Sequence, residues 1–263
     1  MKKSGWKIIL GVAVLVCVIC LGRFGWVKYQ DYKTEQARKA TLKEIASTEF
    51  TGENEGKEPE KVPAGVKHGQ KINFKKLIKI NSDIYAWIYV PGTRIDYPVA
   101  QSQESDDHYL KYNFKNEPEF AGCIYTEKAN KKDFSDTNTV FYGHNMRNGS
   151  MFQNLHKFED EAFFKKHKEV YVYTPKKTYI YTIFAAYKFD DRHLLKTFNF
   201  KNKKKFENYL RNVKNIRDMG SHVRKDQEVT SNDKIITLST CVGGQPNNRY
   251  LVQAVLTDER STK

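Results

Sequence analysis

Residues 235–241 read IITLSTC, an apolar and β-branched run that ends on a cysteine and gives the clearest strand signal in the chain. The segment VGGQPNN at residues 242–248 follows it and is dense in turn formers, and RYLVQAVL at residues 249–256 is apolar again. Two such runs joined by turn formers are typical of a hairpin. We therefore expect two antiparallel strands, with Cys241 and Arg249 at the mouth of the hairpin and within side-chain reach of each other.

Further runs of the same kind precede this hairpin and extend the β pattern toward the N-terminus. They lie at residues 86–90, 94–100, 122–126, 138–142, 169–173 and 178–187. With strands at residues 234–241 and 249–256, they make eight expected strands, each bounded by polar turn residues. Eight short strands at this spacing indicate an antiparallel or mixed barrel.

Two segments between the strands carry apolar residues at helical spacing rather than strand alternation. The first segment has these apolar positions: Met151, Phe152, Leu155, Phe158, Ala162 and Phe163. The second segment is clearer, with apolar residues three or four apart: Phe206, Tyr209, Leu210, Val213 and Ile216. Aromatic stripes of this kind are more typical of core-facing helices than of cofactor sites. We therefore expect two helical insertions into the barrel.

The composition is that of a folded domain with a basic excess. The chain has 263 residues, 39% hydrophobic and 29% charged, with 45 Lys+Arg against 31 Asp+Glu and a formal net charge of +14. This charge density excludes a multi-span membrane protein, and the apolar content exceeds that of a typical disordered chain. The basic residues are dispersed and accompany no recognised nucleic-acid-binding motif, so we expect no nucleic-acid partner.

The N-terminus carries the strongest apolar run. Residues 8–27 contain one charge, Arg23, whose guanidinium can reach the head-group level. Twenty residues of helix are about 30 Å long, enough to cross the hydrocarbon core of a bilayer. We expect residues 1–28 to be a single-pass membrane anchor. The alternative is a cleaved signal peptide, for which residues 20–22 (CLG) offer a weak small-x-small site.

Residues 29–71 are expected to connect the anchor to the folded domain. Residues 31–48 are polar with few apolar positions and no helix breaker, which predicts an exposed helix. Residues 51–70 are rich in Gly, Glu, Lys and Pro and read as a linker. The domain is expected to occupy residues 72–260.

A thiol and a guanidinium meet at the expected hairpin. Arg249 beside Cys241 would favour the thiolate or hold an anionic oxygen. The alternative interpretation of this pair is an ordinary buried cysteine and a surface arginine. The chain has four cysteines, which do not make a disulfide framework, and Cys123 within AGCIY is expected to be a small buried hydrophobe.

A cysteine nucleophile also needs a base or a cationic partner, and histidine is the natural candidate. Among the seven histidines, His144 follows the expected strand at residues 138–142 through Gly143 and opens the loop NMRNG. The other histidines lie in polar or helical segments, where a solvated side chain is the ordinary outcome: His68, His108, His156, His167, His193 and His222.

No metal or cofactor is expected. The chain lacks the H-E-x-x-H spacing of a zinc site. Gly243 and Gly244 do not form a phosphate-binding loop, because neither the lysine nor the following helix of such a loop is present.

The residues singled out above resemble those of the sortase family. TLSTC at residues 237–241 reads as the T-L-x-T-C signature of the sortases, and YGH at residues 142–144 stands in the place of their strand-end histidine. Arg249 opens the next strand as their arginine does. Three features resemble the class B branch: residues 80–88 (INSDIYAWI), residues 91–99 (PGTRIDYPV) and the helix-length insertion at residues 202–219. The resemblance covers most of residues 72–256.

The resemblance implies a mostly β fold with α insertions: an eight-stranded sortase-type β-barrel with N-terminal helices and a helix before the cysteine strand. It implies that Cys241 is the nucleophile and that His144 protonates the leaving amine and later deprotonates the incoming one. Arg249 would hold substrate carbonyl oxygens or the developing oxyanion. Two neighbours of the nucleophile on its strand are expected to contact substrate: Ser239 and Thr240.

The implied activity is that of a cysteine endopeptidase and transpeptidase, anchored in the cell membrane with its catalytic domain on the outer face of a Gram-positive type of cell. Its implied partners are secreted proteins with a C-terminal sorting motif, which is cleaved after threonine to form a thioester acyl-enzyme. An amine of a peptidoglycan precursor then takes up the acyl group. The resemblance implies no cofactor.

Two other functions fit parts of the sequence. Another cysteine peptidase or an L,D-transpeptidase would need its own signature, such as S-H-G-C, where this chain has LSTC. A non-catalytic, basic, membrane-tethered wall-binding protein would use the lysine-rich residues 201–205, and Cys241 would be incidental. One departure from the expected chemistry stands beside the nucleophile: VGG follows Cys241, so a group that orients His144 must come from elsewhere in the fold.

Overall fold

The structure is a computed structural model that describes residues 3–47 and 72–261, and the chain divides into two compact units. In the first unit, α1 (Lys3–Ser47) is one continuous helix of 45 residues. It includes the helix expected after the anchor. Its stretch Ile9–Trp26 has a mean hydropathy of 2.2 and is long and apolar enough to cross a membrane, a property that anchors and signal sequences share. The linker expected at residues 51–70 lies outside the described residues.

The strands of the second unit form one sheet that closes into a barrel. They are β1 (Ile84–Tyr89), β2 (Asp96–Ala100), β3 (Ile124–Tyr125), β4 (Asn138–Tyr142), β5 (Glu169–Tyr173), β6 (Lys177–Asp190), β7 (His222–Val223), β8 (Ile235–Val242) and β9 (Gln245–Ser261). The order around the barrel is β5-β1-β2-β3-β4-β8-β9-β6, and β6 pairs with β5 to close it, while β7 adds to β6 from outside this ring. The expected eight-stranded barrel is therefore confirmed, and closure pairs each of its strands on both sides.

The strand bounds differ from expectation mainly where strands are very short or very long. β4 and β5 have the expected bounds, whereas β7 was not expected because two residues in a polar segment carry no alternation. β7 pairs with Ala185 and Ala186 of β6. β9 ends later than expected because the 14-residue β6 pairs with it as far as Ser261, and it starts earlier because Gln245 pairs with Val242 of β8.

Helices cover parts of the barrel. They are α2 (Phe74–Ile80), a 3-10 helix (Phe152–Glu159), α3 (Glu161–Lys166), α4 (Leu194–Thr197) and α5 (Lys203–Lys214). The first expected insertion is thus divided in two at Asp160, whose carboxylate accepts a hydrogen bond from the Phe163 N–H at 2.7 Å. α5 is the second expected insertion. It begins after Asn202, which accepts a hydrogen bond from the Lys205 N–H, and its apolar stripe joins the core as expected.

A buried polar network fixes β8 to its neighbours. Gln253 of β9 is fully buried, and its amide donates to Thr237 of β8 and to the Tyr209 hydroxyl of α5, both at 2.8 Å. The Gln253 carbonyl oxygen accepts a hydrogen bond from Tyr187 of β6. Thr237 in turn donates to Asn138 of β4. Because buried polar groups are costly unless they are paired, this network favours one arrangement of β4, β6, β8, β9 and α5.

Candidate active site

The parallel pairing of β4 and β8 brings the expected histidine and cysteine to one edge of the barrel. Tyr142 of β4 is the register partner of Ser239 of β8, and the Gly143 N–H donates to the Ser239 carbonyl at 3.2 Å. The carboxyl ends of neighbouring parallel strands lie at the same edge of a sheet. Two residues beyond the last pair, the same register leads to His144 on one strand and Cys241 on the other.

The hairpin of β8 and β9 brings the arginine to the same edge. Cys241 pairs directly with Arg249, and the register then shifts, so that Val242 pairs with Gln245. The expected hairpin mouth is confirmed. Cys241 is exposed, which contradicts the alternative of an ordinary buried cysteine, whereas Cys123 is buried as expected.

Arg249 is anchored by two carbonyl groups at the start of its own strand, β9. One guanidinium nitrogen, Nη1, donates to the Pro246 carbonyl at 2.8 Å and to the Asn248 carbonyl at 3.1 Å. An arginine has five N–H donors in a fixed fork. Because these two carbonyls hold Nη1, they also orient Nε and Nη2. Those two nitrogens can donate hydrogen bonds to an oxygen atom in the adjoining cavity.

Cys241, His144 and Arg249 all line one cavity of about 360 Å³. Its other walls come from Leu110, from the tyrosines at the ends of β3 and β4, and from residues 191–194 after β6. A cavity that joins a thiol, an imidazole and a guanidinium has the groups that acyl transfer requires: a nucleophile, a proton carrier and a donor for a developing oxyanion.

His144 is oriented by a backbone carbonyl. Its Nε2 lies 2.8 Å from the Leu110 carbonyl oxygen, and its ring stacks on Phe120 with centroids 5.7 Å apart. Because a carbonyl only accepts, Nε2 carries a proton, and the neutral ring has its lone pair on Nδ1. The orienting group that the sequence left open is therefore the Leu110 carbonyl. A main-chain group has no sequence signature, so no motif could have identified it.

Ser239 and Thr240 also line the cavity, but both residues are almost fully buried, at 5% and 2% exposure. The Thr240 hydroxyl donates to the Gly143 carbonyl at 2.8 Å. This bond joins β8 to the residue that precedes His144. Contact of Ser239 and Thr240 with substrate remains a prediction.

A second histidine, for which the sequence predicts a solvated side chain, contacts the main chain of Cys241. His156 Nε2 is 3.0 Å from the Cys241 carbonyl oxygen, and His156 Nδ1 is 2.6 Å from Glu159 Oε1. The Asn145 side-chain amide donates to the same carbonyl at 2.9 Å. The sequence does not predict this contact, because 85 residues separate His156 from Cys241 and no local pattern links them.

The wall after β6 is held by a contact between a histidine and a glutamate side chain. His193 Nε2 lies 2.7 Å from Glu127 Oε2, and the Glu127 side chain is only 12% exposed. Burial raises the pKa of Glu127, and the nearby His193 acts in the opposite direction. His193 Nδ1 accepts a hydrogen bond from the Lys196 N–H at the start of α4. The pair therefore connects the end of β3 to the segment that closes this side of the cavity.

Among residues 3–47 and 72–261, no group of three His, Cys, Asp or Glu side chains is arranged to hold a metal ion.

Comparison with known proteins gives a consistent result. The sequence profile of the Sortase domain matches residues 88–257. The chain is 34% identical over 215 residues to sortase B of Listeria monocytogenes, which covers 81% of this chain and 78% of that protein. The crystal structure of Clostridium perfringens sortase B superposes with a TM-score of 0.64 at 37% identity, covering 70% of this chain and all of that one. Sortase B of Bacillus anthracis gives a TM-score of 0.70 at 29% identity over 88% of this chain and 99% of that one.

Proposed function

Because this chain belongs to the sortase family and is a class B cysteine transpeptidase, we propose that it cleaves a C-terminal sorting motif after threonine and transfers the new carboxyl group to an amine of a peptidoglycan precursor. The observation that carries this proposal is the placement of Cys241, His144 and Arg249 around one cavity at the carboxyl ends of β4 and β8. Its substrates are then secreted proteins that carry such a motif.

In the acylation step, the Cys241 sulfur attacks the carbonyl carbon of the threonine. The thiol proton passes to His144 Nδ1 as the carbon–sulfur bond forms. Collapse of the tetrahedral intermediate breaks the peptide carbon–nitrogen bond, and the same proton goes from His144 to the leaving amine. A thioester and a free C-terminal fragment result, with no change in oxidation state.

In the second step, an amine attacks the thioester carbonyl carbon. His144 Nδ1 takes a proton from the incoming nitrogen, the carbon–sulfur bond breaks, and the thiol of Cys241 is restored by that proton. A thioester retains an activated acyl group, so an amine that is positioned against it can react before water does. We propose that Ser239 and Thr240 help to shape this part of the cavity.

Arg249 is the group that meets negative charge in both steps. Each tetrahedral intermediate places a negative charge on the former carbonyl oxygen, and guanidinium donors that are already oriented need no rearrangement to bind it. The contacts of Arg249 Nη1 to Pro246 and Asn248 supply that orientation.

We propose the same division of the chain as the sequence suggests: an anchor at residues 1–28, a connecting helix and linker at residues 29–71, and a catalytic domain at residues 72–260 on the outer face of a Gram-positive cell membrane. The exposed apolar stretch of α1 supports the anchor. Intact-mass measurement of the protein from the membrane fraction tests it. Retention of the first 28 residues is expected, and a shortened mass would identify a cleaved signal instead.

Product analysis tests the transferase reaction itself. The full chain in detergent is incubated with sorting-type peptides and with short peptides that carry a free amine. The proposal predicts a ligated product that needs both substrates and is absent with Cys241→Ala. Hydrolysis alone at every amine concentration would show a peptidase and overturn the transfer step.

A further inference from the structure

We propose that Glu159, His156 and Asn145 form a positioning unit that holds the backbone of Cys241 during acyl transfer. This inference rests on the proposed function, because the reaction measured is the one proposed there. None of the three residues is part of the proposed catalytic set. They act on the main-chain carbonyl of the nucleophile and not on its sulfur atom.

The Cys241 carbonyl lies just past the end of the parallel ladder. The Ser239 carbonyl, two residues earlier, accepts the Gly143 N–H, so the Cys241 carbonyl points to the same side of β8. A regular ladder would supply the backbone N–H of Asn145 at this point. Instead, the Asn145 backbone forms a bridge with Met151, and its side-chain amide donates to the Cys241 carbonyl at 2.9 Å.

His156 supplies a second polar contact to the same oxygen. Its Nε2 is 3.0 Å from the Cys241 carbonyl, its ring packs 5.2 Å from the ring of Tyr250, and its side chain is only 17% exposed. On the other side of the ring, the Glu159 carboxylate accepts from Nδ1 at 2.6 Å. The carboxylate thereby fixes both the ring orientation and the position of one ring proton.

The unit keeps a donor on the Cys241 carbonyl in either charge state of His156. When the ring is neutral, Nδ1–H donates to Glu159, and Nε2 accepts a hydrogen bond from the Asn145 amide, 3.1 Å away. The other hydrogen of that amide is donated to the Cys241 carbonyl. In the charged ring, Nε2–H itself donates to the carbonyl. In the neutral state His156 also fixes the Asn145 amide, and in both states Glu159 fixes His156, so the contact to the Cys241 carbonyl depends on all three residues.

The same contacts separate the roles of the two histidines. Both ring nitrogens of His156 are engaged by Glu159 and by the Asn145–Cys241 side of the site. For His144, Nε2 is bound to the Leu110 carbonyl, and within residues 72–261 no hydrogen-bond partner occupies Nδ1. His144 is therefore the proton carrier and His156 the positioning residue.

The consequence for catalysis follows from geometry. A fixed carbonyl at Cys241 fixes the peptide plane and hence the direction in which the side chain leaves the backbone. A reacting atom displaced by about 1 Å costs on the order of 100-fold in rate. Loss of the unit should therefore lower kcat, while KM changes little because none of the three residues lines the substrate cavity.

The test compares His156→Ala, His156→Gln and the control His167→Gln in the full chain. Glutamine carries an amide donor that can reach the Cys241 carbonyl, whereas alanine carries none. His167 packs on Phe163 in α3, away from the cavity. For His156→Ala we expect kcat to fall about 10- to 100-fold with KM within about twofold, and for His156→Gln a clear recovery of kcat. His167→Gln should match the unaltered chain.

Two results would overturn the inference. One is a His156→Ala variant with unaltered kcat. The other is an equal loss in His156→Ala and His156→Gln that accompanies an equal drop in melting temperature, which would show a structural role only. Failure of the proposed function looks different, because the unaltered chain itself would then form no thioester with any peptide.

Discussion

Cys241 and Arg249 are the last regular pair of the ladder between β8 and β9. Immediately beyond them the register shifts, and the carbonyls of Pro246 and Asn248 at the start of β9 accept hydrogen bonds from Arg249. Cys241 therefore lies on a strand that is paired on both sides, and Arg249 is its direct partner on β9. Such a frame allows a donor to be aimed before substrate arrives.

Replacing Arg249 should remove most of the stabilisation of the oxyanion. We expect Arg249→Ala to lower kcat by about 100- to 1000-fold, the range found when one oxyanion donor is lost. Arg249→Lys should recover only part of the activity. An ammonium lacks the planar arrangement of N–H donors that the Pro246 and Asn248 carbonyls orient in the guanidinium. Steady-state kinetics with a sorting-type peptide measure both variants.

The matched control for Arg249 is Arg260→Ala, on the same strand but far along it. Arg260 is exposed and donates to Asp258, and its replacement should leave kcat unchanged. Equal activity of Arg249→Ala and Arg260→Ala would refute the role of Arg249.

His144 should control proton transfer in both steps. His144→Gln should slow thioester formation by about 100- to 10,000-fold, the usual contribution of general acid–base catalysis. Rapid-quench mass measurement of the acylated chain gives the rate. His108→Gln serves as the control, since His108 is a histidine outside the cavity lining. If the two variants acylate at the same rate, another group carries the proton.

The Glu127–His193 pair predicts a pH dependence of stability. Burial raises the pKa of Glu127 above its ordinary value of 4.5, so the fold favours the protonated carboxyl. That contribution is fully present below pH 4.5 and is lost as the pH rises through the raised pKa. The free energy of unfolding of the unaltered chain, relative to Glu127→Gln, should therefore fall over this range.

The same comparison in chains that also carry His193→Gln tests this prediction further. His193 lowers the pKa of Glu127 and opposes the effect of burial. In His193→Gln chains the same comparison should consequently show a larger fall, measured by denaturant titration at a series of pH values. If the Glu127→Gln substitution changes the free energy of unfolding by the same amount at every pH in both backgrounds, the assignment is contradicted.

Many strands of the barrel could be predicted from local patterns of residue type in the sequence. The hairpin that pairs Cys241 with Arg249 follows from the two apolar runs around VGGQPNN, and β4 and β5 have the bounds that their β-branched and aromatic runs predict. β7 could not be predicted because two residues have no period. The C-terminal end of β9 is polar and is a strand only because the long β6 lies beside it, and the polar start of β9 is a strand because Gln245 pairs with Val242 of β8.

The site residues at strand ends could be predicted from the sequence. The contacts between segments that are far apart in the chain could not. His144 and Cys241 each follow an apolar run, so their strand-end position could be read locally. The Leu110 carbonyl that orients His144 and the His156 contact to Cys241 are set by tertiary packing across 34 and 85 residues. No composition or spacing near either residue encodes such contacts.

The proposed reaction requires that Cys241 carry an acyl group taken from a sorting motif. The most direct measurement is the intact mass of the full chain in detergent after incubation with a library of peptides varied around a fixed threonine, followed by mapping of the modified residue. We expect a thioester on Cys241, seen as a mass increase equal to the peptide fragment ending at threonine less one water, and no adduct on Cys241→Ala. An unmodified chain with every peptide, or an adduct that persists in Cys241→Ala, would contradict it.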